Sequence, residues 1–276
     1  MANYNHKYIL KEKNMKTVIT CDTLAIEVTR RCNMKCEHCL RGELQALDIS
    51  LPILRKIAKT IRPNNVTFTG GEPSLNVNAI RKYFEYAERY GTMPLSFFVA
   101  TNGLSNRKEF ALALLEAYPK MAEKDICELA VSTDAFHSQF WNERYPEAWG
   151  IFSGLSFFNK ESKAHDASQD DFRWVIPEGR AEFDFADNGR TAPSISTVLE
   201  AFASCADVYL DKMDLGNGYV EDVVNIHFDI LYVAANGNIV EDCDVSYEHV
   251  DAYHVTTINT ILEDLKPFAE QEFQSM

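Results

Sequence analysis

Residues 24–39 read Leu-Ala-Ile-Glu-Val-Thr-Arg-Arg-Cys-Asn-Met-Lys-Cys-Glu-His-Cys. The first six have the apolar and β-branched composition of a short buried strand, and a polar loop with three cysteines follows at once. The cysteines are spaced Cys32-x3-Cys36-x2-Cys39. Three thiolates so close together on one loop can converge on a single inorganic centre. The stretch therefore predicts a strand that carries a metal or cluster site at its carboxyl end.

The size and charge of the chain exclude several classes of protein. The 276 residues suffice for one large domain, or for one domain with a small appendage. Lys and Arg total 27 against 41 Asp and Glu, a net charge of −14. So acidic a surface repels phosphate backbones, which argues against general binding of nucleic acid or anionic membranes. We find no signal-peptide core and no apolar run of about eighteen residues, and we expect a cytoplasmic protein.

Strand patterns alternate with helical patterns through the first two thirds of the chain. We expect strands at residues 24–29, 66–69, 95–101, 129–133 and 172–176. Apolar stripes at helical spacing lie between them, at residues 53–61, 77–90 and 111–118. This alternation indicates βα units and a parallel sheet. The turn residues that follow the strands should therefore meet on one rim, where α/β proteins build their sites.

The pattern changes after about residue 190. A helix is expected at 194–206, a β-hairpin at 226–240 around Asn236-Gly237, and a closing helix at 258–265. We therefore divide the chain into an N-terminal extension (1–20), a core (21–190) and a small α+β appendage (191–276).

Several centres are compatible with the three cysteines. A structural zinc ion needs a fourth ligand, and His38 faces the wrong way if both flanking cysteines bind the metal. Cys36 and Cys39 alone resemble a redox pair, but Cys32 then has no role. A [4Fe–4S] cluster fits best, because three cysteines leave one iron open for a substrate or cofactor. A non-catalytic zinc-binding protein stays as a distant alternative.

The cysteine loop, followed after the second strand by Thr69-Gly70-Gly71-Glu72-Pro73, resembles the radical S-adenosylmethionine (radical SAM) superfamily. The resemblance covers roughly residues 20–185. It implies an α/β fold, a partial (βα)6 TIM-like barrel, here with the small α+β C-terminal appendage. It also implies that Cys32, Cys36 and Cys39 ligate three irons of a [4Fe–4S] cluster, while the fourth iron chelates S-adenosylmethionine.

The chemistry implied by this resemblance is radical chemistry. An external electron donor, flavodoxin- or ferredoxin-like, reduces the cluster, and S-adenosylmethionine is cleaved to a 5′-deoxyadenosyl radical that abstracts hydrogen from a substrate. The cofactor performs the difficult step, and the protein orients the substrate and excludes water.

The resemblance also implies cofactor contacts on the rim. The glycine-rich turn would hold the methionyl ammonium group through backbone carbonyls and an acidic side chain. An aromatic residue would lie beside the adenine, and polar residues after the third and fourth strands would complete the site. The candidates are His38, Gly70, Gly71, Glu72, Pro73, Asn102 and Ser132. For Asn102, a role in shaping its turn explains the residue equally well.

Three further side chains on the rim are candidates for the substrate side of the site. Asp134 shares a face with Ser132 at period-two spacing, and His137 follows in the next turn. A helix-capping Asp and a surface His are the alternatives for these two residues. Arg180, in a Pro-x-Gly-Arg-Ala segment similar to one in maturation relatives, could bind a carboxylate or phosphate. A structural ion pair is its alternative.

The C-terminal hairpin resembles the SPASM or twitch region of relatives that bind auxiliary clusters there. Only Cys205 and Cys243 lie after residue 190, fewer than one cluster normally needs. We therefore expect a substrate cap without an auxiliary cluster, and we expect Cys21 and Cys127 to be packed thiols. The Gly-Arg-Ala segment and this tail favour a peptide or protein side chain as substrate. A small metabolite, such as a nucleotide or amino acid, is the alternative.

Overall fold

A computed structural model describes residues 15–132, 134–138, 144–159, 175–181, 197–215 and 218–275. The strands are β1 (Lys16–Thr29), β2 (Ile61–Gly70), β3 (Ser96–Thr101), β4 (Glu128–Val131), β5 (Ala206–Asp214), β6 (Val220–Val233), β7 (Asn238–Val240) and β8 (Thr256–Thr257). The α-helices are α1 (Leu51–Thr60), α2 (Val77–Tyr90), α3 (Arg107–Ala117), α4 (Ala135–Ser138), α5 (Arg144–Phe152), α6 (Leu199–Ala203), α7 (Tyr247–Tyr253) and α8 (Ile261–Ser275).

The strands form one sheet in the order β4-β3-β2-β1-β6-β7-β8, with β5 paired to β6. Neighbouring strands from β4 to β6 run parallel. The pairs β5–β6, β6–β7 and β7–β8 are antiparallel. The described sheet is open, as in a partial barrel, and α1, α2 and α3 connect its successive parallel strands. The prediction of an α/β fold of this class is confirmed.

The helices form where the sequence pattern places them. The Ser50 side chain caps α1 by accepting a hydrogen bond from the Ile53 amide at 3.4 Å. Helix α2 spans residues 77–90, as predicted, and buries Ile80, Phe84 and Ala87 against the sheet. Burying each large apolar side chain contributes about 1.5–3 kcal/mol, so these stripes fix the helices on the sheet. The carboxyl ends of the strands are thereby held at one rim.

Strand β1 is longer than the sequence pattern indicates. It has 14 residues, whereas we expected a strand only at 24–29. Ile19 is fully buried and pairs with Ile61 of β2 on one side and with Ile226 of β6 on the other. Polar residues interrupt the apolar pattern in this half of the strand, so the sequence does not indicate a strand there. One of them, Thr20, forms a 2.9 Å hydrogen bond to the side chain of Asn225 in β6.

The C-terminal part of the chain joins the same sheet. The hairpin expected around Asn236-Gly237 is present as β6 and β7, and β6 also runs parallel to β1. Residues 206–214 form β5, which runs antiparallel to β6. Residues 172–174 of the expected fifth strand and the boundary proposed at residue 190 lie outside the described residues. Among the described helices, none has the length and apolar character that crossing a membrane requires.

Candidate active site

The carboxyl ends of β1 to β4 surround a cavity of about 360 Å³. This cavity brings together most of the side chains that the sequence singled out. The predicted site residues in its lining are Cys32, Cys36, His38, Cys39, Gly70, Gly71, Glu72, Pro73, Asn102, Ser132, His137 and Arg180. Asp134 lies behind the wall and is bonded to His137. The barrel interior contributes Thr67, Phe98 and Ala100, so the cavity extends below the rim.

The three cysteines of the loop are close enough to influence one another. Burial, and then the Glu72 carboxylate, raise the pKa of Cys32 to about 11. Burial, followed by the neighbouring Cys39 and Cys32, raises the pKa of Cys36 to about 12. Because only thiolates bind metal, loading this loop with iron must release protons.

A cluster and a single ion make different demands on the three thiols. A tetrahedral zinc ion with Zn–S bonds of about 2.3 Å needs sulfur atoms within about 4 Å of one another. Among the described side chains, the groups whose ligand atoms all lie within 4.8 Å of one another do not include Cys32, Cys36 and Cys39. Iron, zinc and sulfide analysis distinguishes the two centres.

The glycine-rich turn packs directly on the start of the cysteine loop. The Gly71 amide donates to the Thr29 carbonyl at 2.8 Å, and the Glu72 amide donates to the Arg31 carbonyl at 2.9 Å. A Cβ atom on Gly70 would lie 2.1 Å from the Thr29 oxygen, and one on Gly71 would lie 2.2 Å from the Arg31 oxygen. The sequence suggested that these glycines make room for a cofactor. The close backbone contact with the cysteine loop by itself requires glycine at both positions.

The Glu72 carboxylate ties two turns of the rim together. It is 2% exposed and accepts hydrogen bonds from the Ser74 amide at 3.0 Å, the Thr101 hydroxyl at 2.6 Å and the Asn102 amide at 2.8 Å. Among the described residues, no basic side chain pairs with this carboxylate. A buried carboxylate with neutral donors alone is suited to receive an ammonium group.

The side chain of Asn102 connects its turn to the cysteine loop. Its amide nitrogen donates to the Asn33 side chain at 2.7 Å and lies 3.9 Å from the Cys32 sulfur. Its oxygen accepts from the Leu104 amide at 3.0 Å. Asn102 therefore shapes its own turn, and it also contacts a predicted cluster ligand.

Asp134, His137 and His38 form one cluster beside the cavity. Asp134 is 1% exposed, and its carboxylate accepts from the His137 amide at 2.9 Å and contacts the His137 Nδ1 at 2.5 Å. Burial opposes the charged form, but the bonds to His137 outweigh it and lower the pKa of Asp134. The His38 ring stacks on Phe136 at 4.2 Å between centroids. Asp134 thus caps α4 and also orients an imidazole of the cavity wall.

Arg180 holds the backbone of the cysteine loop. Its amide donates to the Cys39 carbonyl at 3.1 Å, and its guanidinium donates to the carbonyls of Cys36 at 3.0 Å and Gly42 at 2.5 Å. A Cβ atom on the preceding Gly179 would lie 2.5 Å from the Gly42 nitrogen. The structure therefore gives Arg180 a positioning contact that the sequence did not indicate. Its role as a substrate ligand stays a prediction.

The C-terminal segment reaches the rim through the same region. Glu178 accepts from the Ser246 amide at 2.6 Å and contacts the His249 ring at 3.0 Å, which anchors the start of α7. Cys243 in this segment is partly buried, whereas Cys205 is exposed. Cys21 and Cys127 are buried, as packed thiols are.

Sequence reasoning missed a buried charge network under the cysteine loop. The Arg30 guanidinium contacts Glu27 at 2.6 Å and Asp251 of α7 at 2.6 Å. Glu27 also accepts from the Tyr232 hydroxyl and, at 3.0 Å, from the Ala235 amide. An acidic residue inside an apolar strand, three positions before an arginine, is the signal that could have revealed it.

Residues 26–141 match the family model described as the radical SAM superfamily. These residues therefore carry the radical SAM domain of this chain. Both motifs that carry the resemblance lie within the matched residues. The cofactors of radical SAM enzymes are a [4Fe–4S] cluster and S-adenosylmethionine.

Curated relatives and solved structures are similar to parts of this radical SAM chain. The uncharacterized protein MJ0907 of Methanocaldococcus jannaschii is 32% identical over 91 residues, which span 31% of this chain and only 32% of that protein. Native anSMEcpe with bound AdoMet and Cp18Cys peptide matches at 14% identity and a TM-score of 0.50, over 92% of this chain and 82% of that chain. BtrN in complex with AdoMet and 2-DOIA matches at 15% identity and a TM-score of 0.44, over 92% of this chain and 87% of that chain. The match to anSMEcpe supports the fold.

The cavity fits the cofactors of a radical SAM enzyme. Three thiols face it, and the Glu72 carboxylate in its wall has no basic partner among the described residues. The Tyr247 hydroxyl is also buried without a hydrogen-bond partner in the described chain. Burial, then the Glu27 carboxylate, raise the pKa of Tyr247.

Proposed function

We propose that Cys32, Cys36 and Cys39 hold the [4Fe–4S] cluster of this radical SAM enzyme and that it acts on a peptide or protein side chain. One observation carries the proposal: these thiols, the Thr69–Pro73 turn and the Asp134–His137 pair meet at one cavity. When bound, the cofactors supply a 5′-deoxyadenosyl radical that abstracts hydrogen from the substrate.

The chain itself binds and orients the reactants. The Glu72 carboxylate pairs with the methionyl ammonium group, while His38, Asn102 and Ser132 line the space for the nucleoside. His137 presents its remaining ring nitrogen, Nε2, toward the substrate, because Asp134 already engages Nδ1. This pair can hold or release a proton at the substrate after hydrogen abstraction.

The size of the cavity supports a side chain as the reacting group. Its volume of about 360 Å³ lies near the lower end of the roughly 300–1,000 Å³ typical of ligand sites. S-adenosylmethionine must share this space with the substrate. A single side chain that enters from a peptide held outside needs less room than a whole nucleotide.

Radical SAM enzymes require an electron donor as well as a substrate. We propose a flavodoxin- or ferredoxin-like donor and a cytoplasmic location, because an open iron site is sensitive to oxygen and needs a reducing compartment.

Anaerobic reconstitution tests the reaction class. The protein is loaded with iron and sulfide, supplied with S-adenosylmethionine and dithionite, and assayed for 5′-deoxyadenosine. Wild-type protein should form it, and Cys36→Ser should not. Absence of 5′-deoxyadenosine, under conditions that activate a known radical SAM enzyme, would contradict the proposal.

A second assay tests the substrate class. Peptides encoded beside the gene, especially Lys- or Arg-rich ones that suit the −14 charge, are compared with pools of nucleotides and amino acids. A peptide substrate should raise 5′-deoxyadenosine formation above the uncoupled rate and change mass. Stimulation by a small metabolite alone would identify the alternative substrate class.

A further inference from the structure

Arg41 is a basic side chain in the cavity that the sequence did not single out. It follows the last cysteine of the loop by two residues and lines the same cavity as the three thiols. Its guanidinium donates to the Val245 carbonyl at 2.6 Å and to the Thr69 hydroxyl at 3.4 Å. The group has five N–H donors, so most of them are left for another acceptor.

No carboxylate neutralises Arg41 in the part of the chain that the structure describes. None of the ion pairs there includes it. The nearby Glu27 carboxylate is already engaged by Arg30 and by Tyr232. Arg41 itself lies 4.9 Å from the centre of the Tyr232 ring, a cation–π contact that orients the guanidinium without cancelling its charge.

The Arg41 guanidinium is always charged, because arginine is not deprotonated in proteins. The cavity wall therefore carries a permanent positive charge with free donors. Such a site is suited to a planar or tetrahedral anion.

Arg41 is held mainly by the C-terminal segment, residues 232–247, and also by one hydrogen bond to Thr69 of the glycine-rich turn. Val245 and the Tyr232 ring belong to that segment, and the Tyr247 amide donates to the Arg41 carbonyl at 3.2 Å. Asp244 of the same segment lines the cavity.

We propose that Arg41 binds an anionic group of the substrate, a carboxylate or a phosphate, and thereby selects substrates that carry one near the reacting carbon. The proposal rests on the proposed function, since it places the anion in the cavity where hydrogen abstraction occurs. In a peptide substrate, the anion is an acidic side chain or a terminal carboxylate.

Inorganic phosphate is a simple probe of this site. Its binding to the reconstituted holoenzyme, preloaded with S-adenosylmethionine, is measured by anaerobic calorimetry for wild type, Arg41→Gln and Arg41→Lys. Arg41→Gln should weaken phosphate binding about tenfold or more, because a charged hydrogen bond is lost. Arg41→Lys keeps the charge and should retain most of the binding. Arg55→Gln, an exposed residue of α1 bonded to Tyr90, is the matched control and should bind as wild type does.

Two further measurements separate the possible roles of Arg41. S-adenosylmethionine affinity and iron content should be unchanged in both Arg41 variants. If Arg41→Gln instead weakens S-adenosylmethionine binding, and phosphate competes with that cofactor, Arg41 serves the cofactor carboxylate and the proposal is wrong. Unchanged phosphate binding in Arg41→Gln, or an equal loss in both variants together with lower thermal stability, would also overturn it. Phosphate binding does not depend on 5′-deoxyadenosine formation, so failure of the proposed function is detected separately.

Discussion

The carboxylate of Glu72 accepts a 2.6 Å hydrogen bond from the hydroxyl of Thr101. This bond joins the turn after β2 to the turn after β3, and the Asn102 amide adds a second bond to the same carboxylate. Because the first turn also packs on the cysteine loop, three separate pieces of the rim become one unit. A change in the Glu72 side chain should therefore affect both stability and cofactor binding.

Glu72→Gln should weaken both properties. The amide keeps the shape but removes the charge, and its NH₂ group meets hydrogen-bond donors at a position where a carboxylate oxygen accepted from them. We expect a loss of about 2–3 kcal/mol in the free energy of unfolding, and S-adenosylmethionine binding weakened about tenfold or more. Chemical denaturation and equilibrium dialysis of the reconstituted protein measure these effects. Thr101→Val removes one donor only and should cost about 1 kcal/mol with little change in cofactor affinity. Wild-type affinity in Glu72→Gln would contradict the proposed ammonium contact.

The buried pair Glu27–Arg30 should dominate the stability of the sheet beneath the loop. Both side chains are at most 1% exposed, so Glu27→Gln removes the fully buried partner of the Arg30 guanidinium and leaves only the partly exposed Asp251 to pair with it. We expect a loss of about 3–5 kcal/mol. Asp251, the other partner of Arg30, has a side chain 40% exposed, and Asp251→Asn should cost about 1 kcal/mol or less because solvent screens the charge. Urea denaturation shows which of the two variants loses more free energy of unfolding. Equal losses would show that burial does not determine how much each ion pair contributes to stability.

Local signals in the sequence predicted the parts of this fold that depend on local interactions. The Ser50 cap and the apolar stripe of residues 77–90 each specify a helix without reference to the rest of the chain. The length of β1 depends instead on a partner more than 200 residues away, since Ile19 pairs with Ile226. Nothing near Ile19 in the sequence indicates that pairing.

The same distinction holds within the site. The spacing of Cys32, Cys36 and Cys39 is a local pattern with a chemical reason, and it indicated the centre of the cavity. Arg41 has no pattern of its own, and its position in the cavity depends on Val245. Arg180 had a recognisable segment, but its contacts with two loop carbonyls arise only when distant turns meet.

Arg180→Lys should loosen the cysteine loop. An ammonium group cannot donate to the carbonyls of Cys36 and Gly42 with the fork geometry of a guanidinium. We expect reconstituted protein to lose its cluster faster under an iron chelator, by about tenfold, if one charged hydrogen bond is lost. Gly179→Ala should act in the same direction, because its Cβ would collide with the Gly42 nitrogen. Arg81→Gln on the outer face of α2 is the control. Unchanged cluster loss in both loop variants would contradict the positioning role.

Asp134 should make stability depend on acid pH. Its pKa is lower in the folded protein than the ordinary value of 3.8, so it contributes stability above that value and loses it as the pH falls through the folded pKa. Asp134→Asn removes this contribution together with the charge of the α4 cap. We expect a loss of about 1 kcal/mol at pH 6 and a smaller difference from wild type once the pH lies below the folded pKa of Asp134. Urea denaturation across this range measures it, and a constant difference would show that ionisation of Asp134 is not involved.

Single cysteine-to-serine variants show which of the seven cysteines bind the cluster and which do not. Cys32→Ser, Cys36→Ser and Cys39→Ser should each retain little iron, because a serine oxygen is a poor substitute for a thiolate on a soft centre. Wild-type protein should bind about four irons and about four sulfides per chain if it holds one [4Fe–4S] cluster. Equal amounts of zinc without acid-labile sulfide would instead indicate a single-ion site.

The other cysteines provide matched controls within the same chain. Cys205→Ser and Cys243→Ser should keep the full iron and sulfide content, because two cysteines are too few for an auxiliary cluster. A loss of about half the iron in either variant would reveal a second cluster in the C-terminal segment. Cys21→Ser and Cys127→Ser replace packed thiols, so they should lower thermal stability and leave the iron-to-protein ratio unchanged. Iron, sulfide and melting temperature measured together therefore assign each cysteine to the cluster, to the core or to neither.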